Sequence, residues 1–192
     1  QIVYTANSSL AQPDFTSECL GARNAGAEVI HLIMDVNSTY RIAASCARQG
    51  YHPIFALGGH AQVDDVRKDP NLEGSSIAMN VAPWFLETTP AMAEFHQALR
   101  TYAPGAVPQP SMMIGWVAAK VFERAAANLP DAATPEAVLD GLWSIKDYDI
   151  GGLTYPLTYV RDKISEPRVC WYGAIIQGGQ WVDPDGGKRS CR

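Results

Sequence analysis

The sequence lacks several features that mark whole classes of protein. It has no dense block of lysine and arginine, and its 15 basic residues are outnumbered by 20 acidic ones. No nucleic-acid partner is therefore expected, because binding to phosphates needs clustered cations. No apolar run reaches the roughly 18–20 residues of a membrane span. Neither an initiator Met nor a signal peptide opens the chain, so we expect a processed or excised piece of a longer protein.

Motifs for nucleotide binding and catalysis are also missing. There is no glycine-rich phosphate loop, no Gly-x-Ser-x-Gly elbow and no His-Glu-x-x-His. The four histidines lack metal-ligand spacing, and no Cys-x-x-Cys pair is present. We therefore predict no catalytic residue, no metal and no cofactor.

Four cysteines occur, as two well-separated pairs: Cys19 and Cys46, then Cys170 and Cys191. An even number suits an exported protein with two disulfides. Four free buried thiols are the alternative, since cysteine is among the most buried residue types.

Apolar runs alternate with amphipathic runs in the first half. We predict strands over residues 1–5, 28–34, 53–57 and 75–81, and helices over 14–25 and 39–49. This order is typical of βαβ units in an α/β fold with a doubly wound parallel sheet. The run 28–34 is apolar almost throughout, which predicts a strand buried on both faces. Ser38 is predicted to cap the second helix.

The second half consists of helices separated by proline-containing connectors. Helices are predicted over 91–102, 111–128 and 134–143. The second of these is apolar nearly all round, which predicts a buried helix. Residues 169–177 and 180–182, joined by two glycines, predict a terminal hairpin.

Candidate ligand-binding residues follow the predicted strands at their carboxyl ends, where doubly wound sheets bind ligands. Asp35 and Asn37 follow the strand 28–34, and Gly59 and His60 follow the strand 53–57. Asp35 is expected to accept ligand hydrogen bonds or hold a cation, and helix capping is its alternative. His60 either lines the site or is a plain loop histidine. Trp84 either stacks on a ligand or anchors the connector in the core.

Several short segments, taken in order, resemble one known family. Among them are Asp14-Phe15-Thr16 at a helix start, Cys46-Ala47-Arg48-Gln49-Gly50 at a helix end, and Gly152-Leu153-Thr154. Gly115-Trp116-Val117 and the terminal hairpin with Gly179-Gln180-Trp181 also fall in the matching order. Together they resemble the branched-chain amino-acid type of periplasmic substrate-binding protein, which has the type I fold and serves ABC transporters.

The resemblance implies that the chain is the C-terminal portion of a two-lobed protein. Residues 1–85 and 167–192 would then belong to the C-terminal lobe. Residues 86–166 would pack on an upstream N-terminal lobe, and the first strand of the C-terminal lobe would also lie upstream, in the middle of the sheet. Disulfides Cys19–Cys46 and Cys170–Cys191 are implied by the same arrangement.

The resemblance also implies a function. The protein would be extracytoplasmic, with a signal peptide in its precursor, and would capture a small molecule between two lobes for a transporter permease. Asp35 stands where the family supplies a side chain to the ligand, whereas Gly59 stands where an acidic residue commonly holds the ligand ammonium. The ligand is therefore expected to be amino-acid-like or aromatic, with Asp35 able to take over the ammonium. A ligand-sensing domain on the same fold and an α/β enzyme are the alternatives.

Overall fold

The structure, a computed structural model, describes residues 1–58, 63–131, 133–164 and 169–192. The helices in these ranges are α1 (Thr16–Asn24), α2 (Val36–Arg48), α3 (Pro90–Tyr102), α4 (Pro110–Ala126) and α5 (Pro135–Ser144). The strands are β1 (Val29–Leu32), β2 (Ile54–Gly58), β3 (Ser76–Met79), β4 (Cys170–Gln177), β5 (Gln180–Val182) and β6 (Ser190–Cys191). Short 3-10 helices lie at Asp64–Lys68 and Pro70–Leu72.

The chain divides into two compact units. Unit 1 contains Gln1–Ala78 and Gly173–Pro184, and unit 2 contains Met79–Tyr172 and Asp185–Arg192. The predicted boundaries, at 85/86 and 166/167, lie seven and six residues from the divisions at 78/79 and 172/173. The assignment of these parts to lobes of a larger protein stays a prediction. The last eight residues join unit 2, whereas the sequence analysis grouped them with residues 1–85.

Unit 1 is built on a sheet with the strand order β1-β2-β3-β4-β5. β1 and β2 are parallel, as are β2 and β3, which is the arrangement that alternating strands and helices predict. The register pairs Leu32 with Leu57, so β1 and β2 end at the same level. β4 and β5 form the predicted hairpin, and its two turn glycines, Gly178 and Gly179, have φ of 60° and 70°. Two positive φ values are what a type I′ turn requires.

The two faces of this sheet differ in burial. Leu32, Phe55 and Leu57 are each no more than 3% exposed. On the opposite face Val29 and its register partner Ile54 are 53% and 48% exposed. The prediction that the strand at 28–34 is buried on both faces is therefore wrong: within the described ranges nothing covers its second face.

The helices of unit 1 pack on each other and are joined by the predicted disulfide Cys19–Cys46, with a Cα–Cα distance of 5.1 Å. The predicted cap of α2 is wrong, because the helix begins at Val36 and Asp35 is its cap. Asp35 Oδ1 accepts from the backbone N–H of residues 37 and 38, whereas Ser38 Oγ donates to Asp35 Oδ2. The Ser38 hydroxyl is thus bonded to the capping residue.

The predicted strand at residues 1–5 is not formed. Ile2 is 82% exposed, and no strand of the described part of the chain pairs with this segment. Its β-branched residues favour strand geometry, but a strand is stable only beside a neighbour that satisfies its backbone groups. The segment is held instead through Tyr4, whose ring lies against Gly21 of α1.

Unit 2 is largely helical, and its core contains the fully buried Trp84, Met92 and Phe95. β6 pairs with the first residues of β4, and the predicted disulfide Cys170–Cys191 joins them. None of the helices in the described ranges has the length and apolar character that a membrane crossing requires.

The prediction that α4 is buried all round is wrong. Met113 and Val117 are buried, but Met112 and Phe122 are 36% and 54% exposed, and Gly115 is also exposed. An apolar helix is buried only where another element packs on it, and α5 packs on only part of α4. The exposed residues are spaced by three and seven positions, so they form one face of the helix.

Candidate ligand-binding site

Asp35 lies where the polypeptide leaves β1 and enters α2, at the carboxyl end of the parallel strands. Its two carboxylate oxygens accept three hydrogen bonds, at 2.9 and 3.1 Å from backbone N–H groups and 2.7 Å from the Ser38 hydroxyl. The Ser38 hydroxyl, followed by the backbone donors, lowers the pKa of Asp35, and Arg41 adds to this effect. The side chain is therefore ionised at neutral pH. A carboxylate has about four acceptor positions, so it can still accept from a ligand.

Ser38 and Arg41 belong to the same polar cluster, and the sequence analysis missed their part in it. Arg41 Nη2 donates to Ser38 Oγ at 2.9 Å and to the carbonyl oxygen of Leu10 at 2.6 Å. Its Nε is buried without a hydrogen-bond partner among the described residues. The spacing of three between Asp35, Ser38 and Arg41 was the available signal, because residues three apart share a helix face.

The segment after β2 approaches the same helix. Tyr40, in α2, is half-buried, and its pKa is raised by that burial and by the negative charges of Asp65 and Asp69. The 3-10 helix Pro70–Leu72 also packs on α2. The described residues that follow β2 are thus close to α2, the helix that Asp35 caps.

Of the other four predicted site residues, the structure describes Asn37 and Trp84. Asn37 is exposed on the first turn of α2, and its backbone N–H bonds to Asp35. Gly59 and His60 lie outside the described residues. Trp84 belongs to unit 2, is 0% exposed, and packs edge-on against Phe85 at 5.2 Å between ring centroids. It anchors the connector after β3, and its contact with a ligand stays a prediction.

No group of three or more His, Cys, Asp or Glu side chains suited to a metal ion occurs within the described part of the chain. The polar cluster around Asp35 is instead suited to hydrogen bonding and charge pairing. It combines an ionised carboxylate, a hydroxyl and a guanidinium at the carboxyl end of a parallel sheet, which is where open α/β sheets bind ligands.

Comparison with known proteins places this geometry in a family. The sequence model described as "Periplasmic binding protein" matches residues 1–180. This chain belongs to the periplasmic binding protein family. The resemblance and the type I fold inferred from the sequence are thereby confirmed, and so are both disulfides.

Solved structures show the same fold. A fatty acid ABC transporter substrate-binding protein from Thermomonospora curvata has a TM-score of 0.72 and 19% identity, with 94% of this chain and 48% of that chain covered. A branched chain amino acid ABC transporter from Thermus thermophilus with bound valine has a TM-score of 0.70 and 15% identity, with 91% and 49% covered. A solute binding protein from R. palustris in complex with benzoate has a TM-score of 0.70 and 11% identity, with 96% and 50% covered.

This chain of the periplasmic binding protein family therefore spans about half the length of the solved structures it matches. Their TM-scores of 0.70 to 0.72 establish a shared fold, and at identities below 20% the likeness extends to the fold alone. No match was found among the curated proteins.

Proposed function

We propose that this chain is the ligand-binding part of an extracytoplasmic solute-binding protein that delivers a small molecule to an ABC transporter permease. The observation that carries the proposal is the family match over residues 1–180. Its two disulfides suit an oxidising compartment outside the cytoplasm, reached through a signal peptide on the precursor. The role is binding without catalysis: the ligand stabilises a closed state of the whole protein by touching both of its lobes.

Asp35 is the residue we propose to contact the ligand. Its carboxylate is ionised and already oriented by three hydrogen bonds, so binding does not have to order it. It would receive an ammonium or another N–H or O–H donor of an amino-acid-like ligand. Asn37 on the next turn supplies a second exposed polar side chain. Gly59 and His60, which follow β2 in the sequence, are the other residues of this proposed site. Trp84, in unit 2, stays a separate proposed ligand contact.

The exposed edge and the exposed face of the sheet in unit 1 support the proposal that an upstream portion of the protein packs there. β1 lies at the end of the strand order, and Val29 within it and Ile33 directly after it are 53% and 85% exposed. A parallel sheet is normally covered on both faces, and an open apolar edge strand is an aggregation hazard. We propose that an upstream strand and its crossover helix complete this edge and face. In that arrangement residues 1–5 would pair with the added strand.

A ligand screen on the full-length protein tests the function. Thermal melting is measured with amino acids, aromatic carboxylic acids and short amides, since a ligand bound to the native state raises the melting temperature. At least one compound should do so in a concentration-dependent way. A complete absence of shifts across these three classes would contradict the proposal.

Two matched variants test whether Asp35 contacts the ligand. Asp35→Asn keeps an oxygen that caps α2 but removes the charge, and a hydrogen bond to a charged group is worth about 1.5–3 kcal/mol, so Kd should rise roughly 10- to 100-fold. Asp14→Asn is the control, because Asp14 accepts from the Thr16 N–H at the start of α1 and follows no β-strand of the described structure. Equal affinities of both variants and the parent would reduce Asp35 to a helix cap.

A further inference from the structure

Unit 2 contains a pocket that the proposed function does not use. Its cavity of about 360 Å³ is lined by Asp149, Gly152, Tyr172, Gly187, Lys188 and Arg189. All six residues belong to unit 2, and none belongs to the polar cluster around Asp35. The volume is in the range of small-molecule sites, at about 300–1,000 Å³.

The floor of the pocket is a buried tyrosine held against a tight turn. Tyr172 is 2% exposed, and its hydroxyl donates to the carbonyl oxygen of Gly152. The turn that carries Gly152 has three successive residues with positive φ, at 56°, 64° and 88°, and the first of them is Ile150. Such a backbone is uncommon for a β-branched residue, and strain of this kind collects at functional sites.

Two cations enter the pocket from the last residues of the chain. Arg189 Nη1 donates to the carbonyl oxygen of Thr154 at 2.6 Å. Burial raises the pKa of Tyr172, and the nearby Arg189 guanidinium opposes that rise. Lys188 is exposed and Arg189 is half-buried, so both side chains are accessible from solvent. Asp149 lines the same cavity.

The segment that carries these cations is fixed in place. β6 pairs Ser190 with Trp171, and the disulfide Cys170–Cys191 follows directly. The backbone N–H of Arg192 donates to the carbonyl oxygen of Val169 at 2.9 Å. The backbone that carries both cations is therefore fixed, and the Arg189 side chain is also held by its hydrogen bond to Thr154 before any ligand binds, which lowers the entropy that binding would cost.

We propose that this pocket binds a small organic carboxylate that carries a hydrogen-bond donor next to its carboxylate group. The guanidinium of Arg189 and the ammonium of Lys188 bind the carboxylate, for which the planar fork of arginine is well matched. Asp149 accepts the hydrogen bond from the neighbouring hydroxyl or ammonium. Three of the six lining residues are charged and the cavity is small, which favours short charged ligands over long aliphatic ones. This site is independent of the proposed ligand of Asp35.

The test uses the full-length protein and NMR signals of the pocket itself. The Arg189 Nε–Hε resonance and the Tyr172 ring are followed while acetate, glycolate, glycine or acetamide is added at constant ionic strength. Glycolate or glycine should bind more tightly than acetate, and acetamide should leave both signals in place. Equal responses to acetate and acetamide would overturn the proposal, since the site would then not recognise a carboxylate.

Variants separate specific binding from general attraction. Arg189→Gln should weaken glycolate binding at least tenfold, as seen from the Tyr172 ring. Arg192→Gln removes the same charge from the same segment but not from the pocket, and should change affinity less than twofold. Arg189→Lys keeps the charge and guards against a folding defect, and its affinity should fall between parent and Arg189→Gln. Equal losses in Arg189→Gln and Arg192→Gln would refute the site.

Asp149→Asn tests whether Asp149 accepts a hydrogen bond from the hydroxyl or ammonium of the ligand. It should remove the preference of the pocket for glycolate or glycine over acetate while acetate affinity stays within about twofold. An unchanged preference would overturn the role of Asp149. Asp35→Asn should leave all these titrations unchanged, so failure of the proposed function and failure of this site give different results.

Discussion

Two glycines within helices of unit 2 give opposite predictions for the same substitution. Gly141 lies in α5, where an added Cβ would stand 2.0 Å from the carbonyl oxygen of Ala125 in α4. Gly115 lies in α4, where an added Cβ would meet no atom within 4 Å. Both are interior helix positions, so the change to alanine differs chiefly in what surrounds the new methyl group.

The magnitudes follow from helix propensity and packing. Alanine is favoured over glycine in a helix interior by about 1 kcal/mol, so Gly115→Ala should raise the free energy of unfolding by up to that amount. In Gly141→Ala the same gain is opposed by a clash with backbone, which cannot rotate away. α5 would have to retreat by more than 1 Å to restore the 3.0 Å separation that real contacts respect. Overpacking of this kind costs typically 1–3 kcal/mol, so against a gain of about 1 kcal/mol we expect a net loss of about 0–2 kcal/mol.

Urea unfolding followed by circular dichroism measures both variants against the parent. The two free energies of unfolding should differ by about 1–3 kcal/mol, with Gly115→Ala the more stable. Melting temperatures should move by roughly 2–4 °C per kcal/mol in a chain of this size. If Gly141→Ala were as stable as Gly115→Ala, or more stable, α4 and α5 would not be packed as closely as described, and the reasoning would fail.

Three further predictions concern bridges, charge and core. Cys170–Cys191 is partly exposed, whereas Cys19–Cys46 is fully buried. A mild reductant followed by thiol alkylation and mass spectrometry should therefore label Cys170 and Cys191 first. Replacing Cys19 and Cys46 by alanines should lower the free energy of unfolding in urea by about 3.5 kcal/mol. The Thr16 hydroxyl and N–H lower the pKa of Asp14 to about 2, so its contribution to stability is present above about pH 4 and lost as pH falls through about 2. Carbon-detected NMR should find the titration midpoint of the Asp14 carboxyl group at this pH, and Thr16→Val should raise that midpoint. An unchanged midpoint in Thr16→Val would contradict the prediction. Trp84→Ala should cost about 3–5 kcal/mol of unfolding free energy, and a loss under 1 kcal/mol would argue that the ring is not a core anchor.

Much of the fold was predictable because its signals are local. Glycines and prolines mark helix ends, and the alternation of apolar and amphipathic runs predicts parallel strands such as β1 and β2. The errors occur where structure depends on a neighbour. Residues 1–5 have strand composition but lack a partner strand, and α4 has apolar residues on a face that the described chain leaves uncovered. The composition of a segment indicates which residues can be buried, but whether they are buried depends on the elements that pack against the segment.

The candidate site was predictable in position but not in detail. Topology places Asp35 at the carboxyl end of a parallel strand, and this follows from the order of strands and helices alone. Sequence left capping and ligand binding as alternatives for this carboxylate, and the structure shows that capping uses part of its acceptor capacity. The pocket around Tyr172 was not foreseen, because its lining comes from segments at 149–152, 172 and 187–189 that no local pattern connects.

The division of unit 1 into two distant stretches of sequence has a consequence for biosynthesis. Its first 78 residues leave the ribosome before the stretch 173–184 that supplies β5 and most of β4, and all of residues 79–172 are made in between. At about 5–20 residues per second, those 94 residues take roughly 5–20 s to translate. During that interval β3 presents an unpaired strand edge, long after β1 to β3 have had time to associate. The nascent chain is therefore most exposed to aggregation in this window, which is when a chaperone that shields strand edges would act on it.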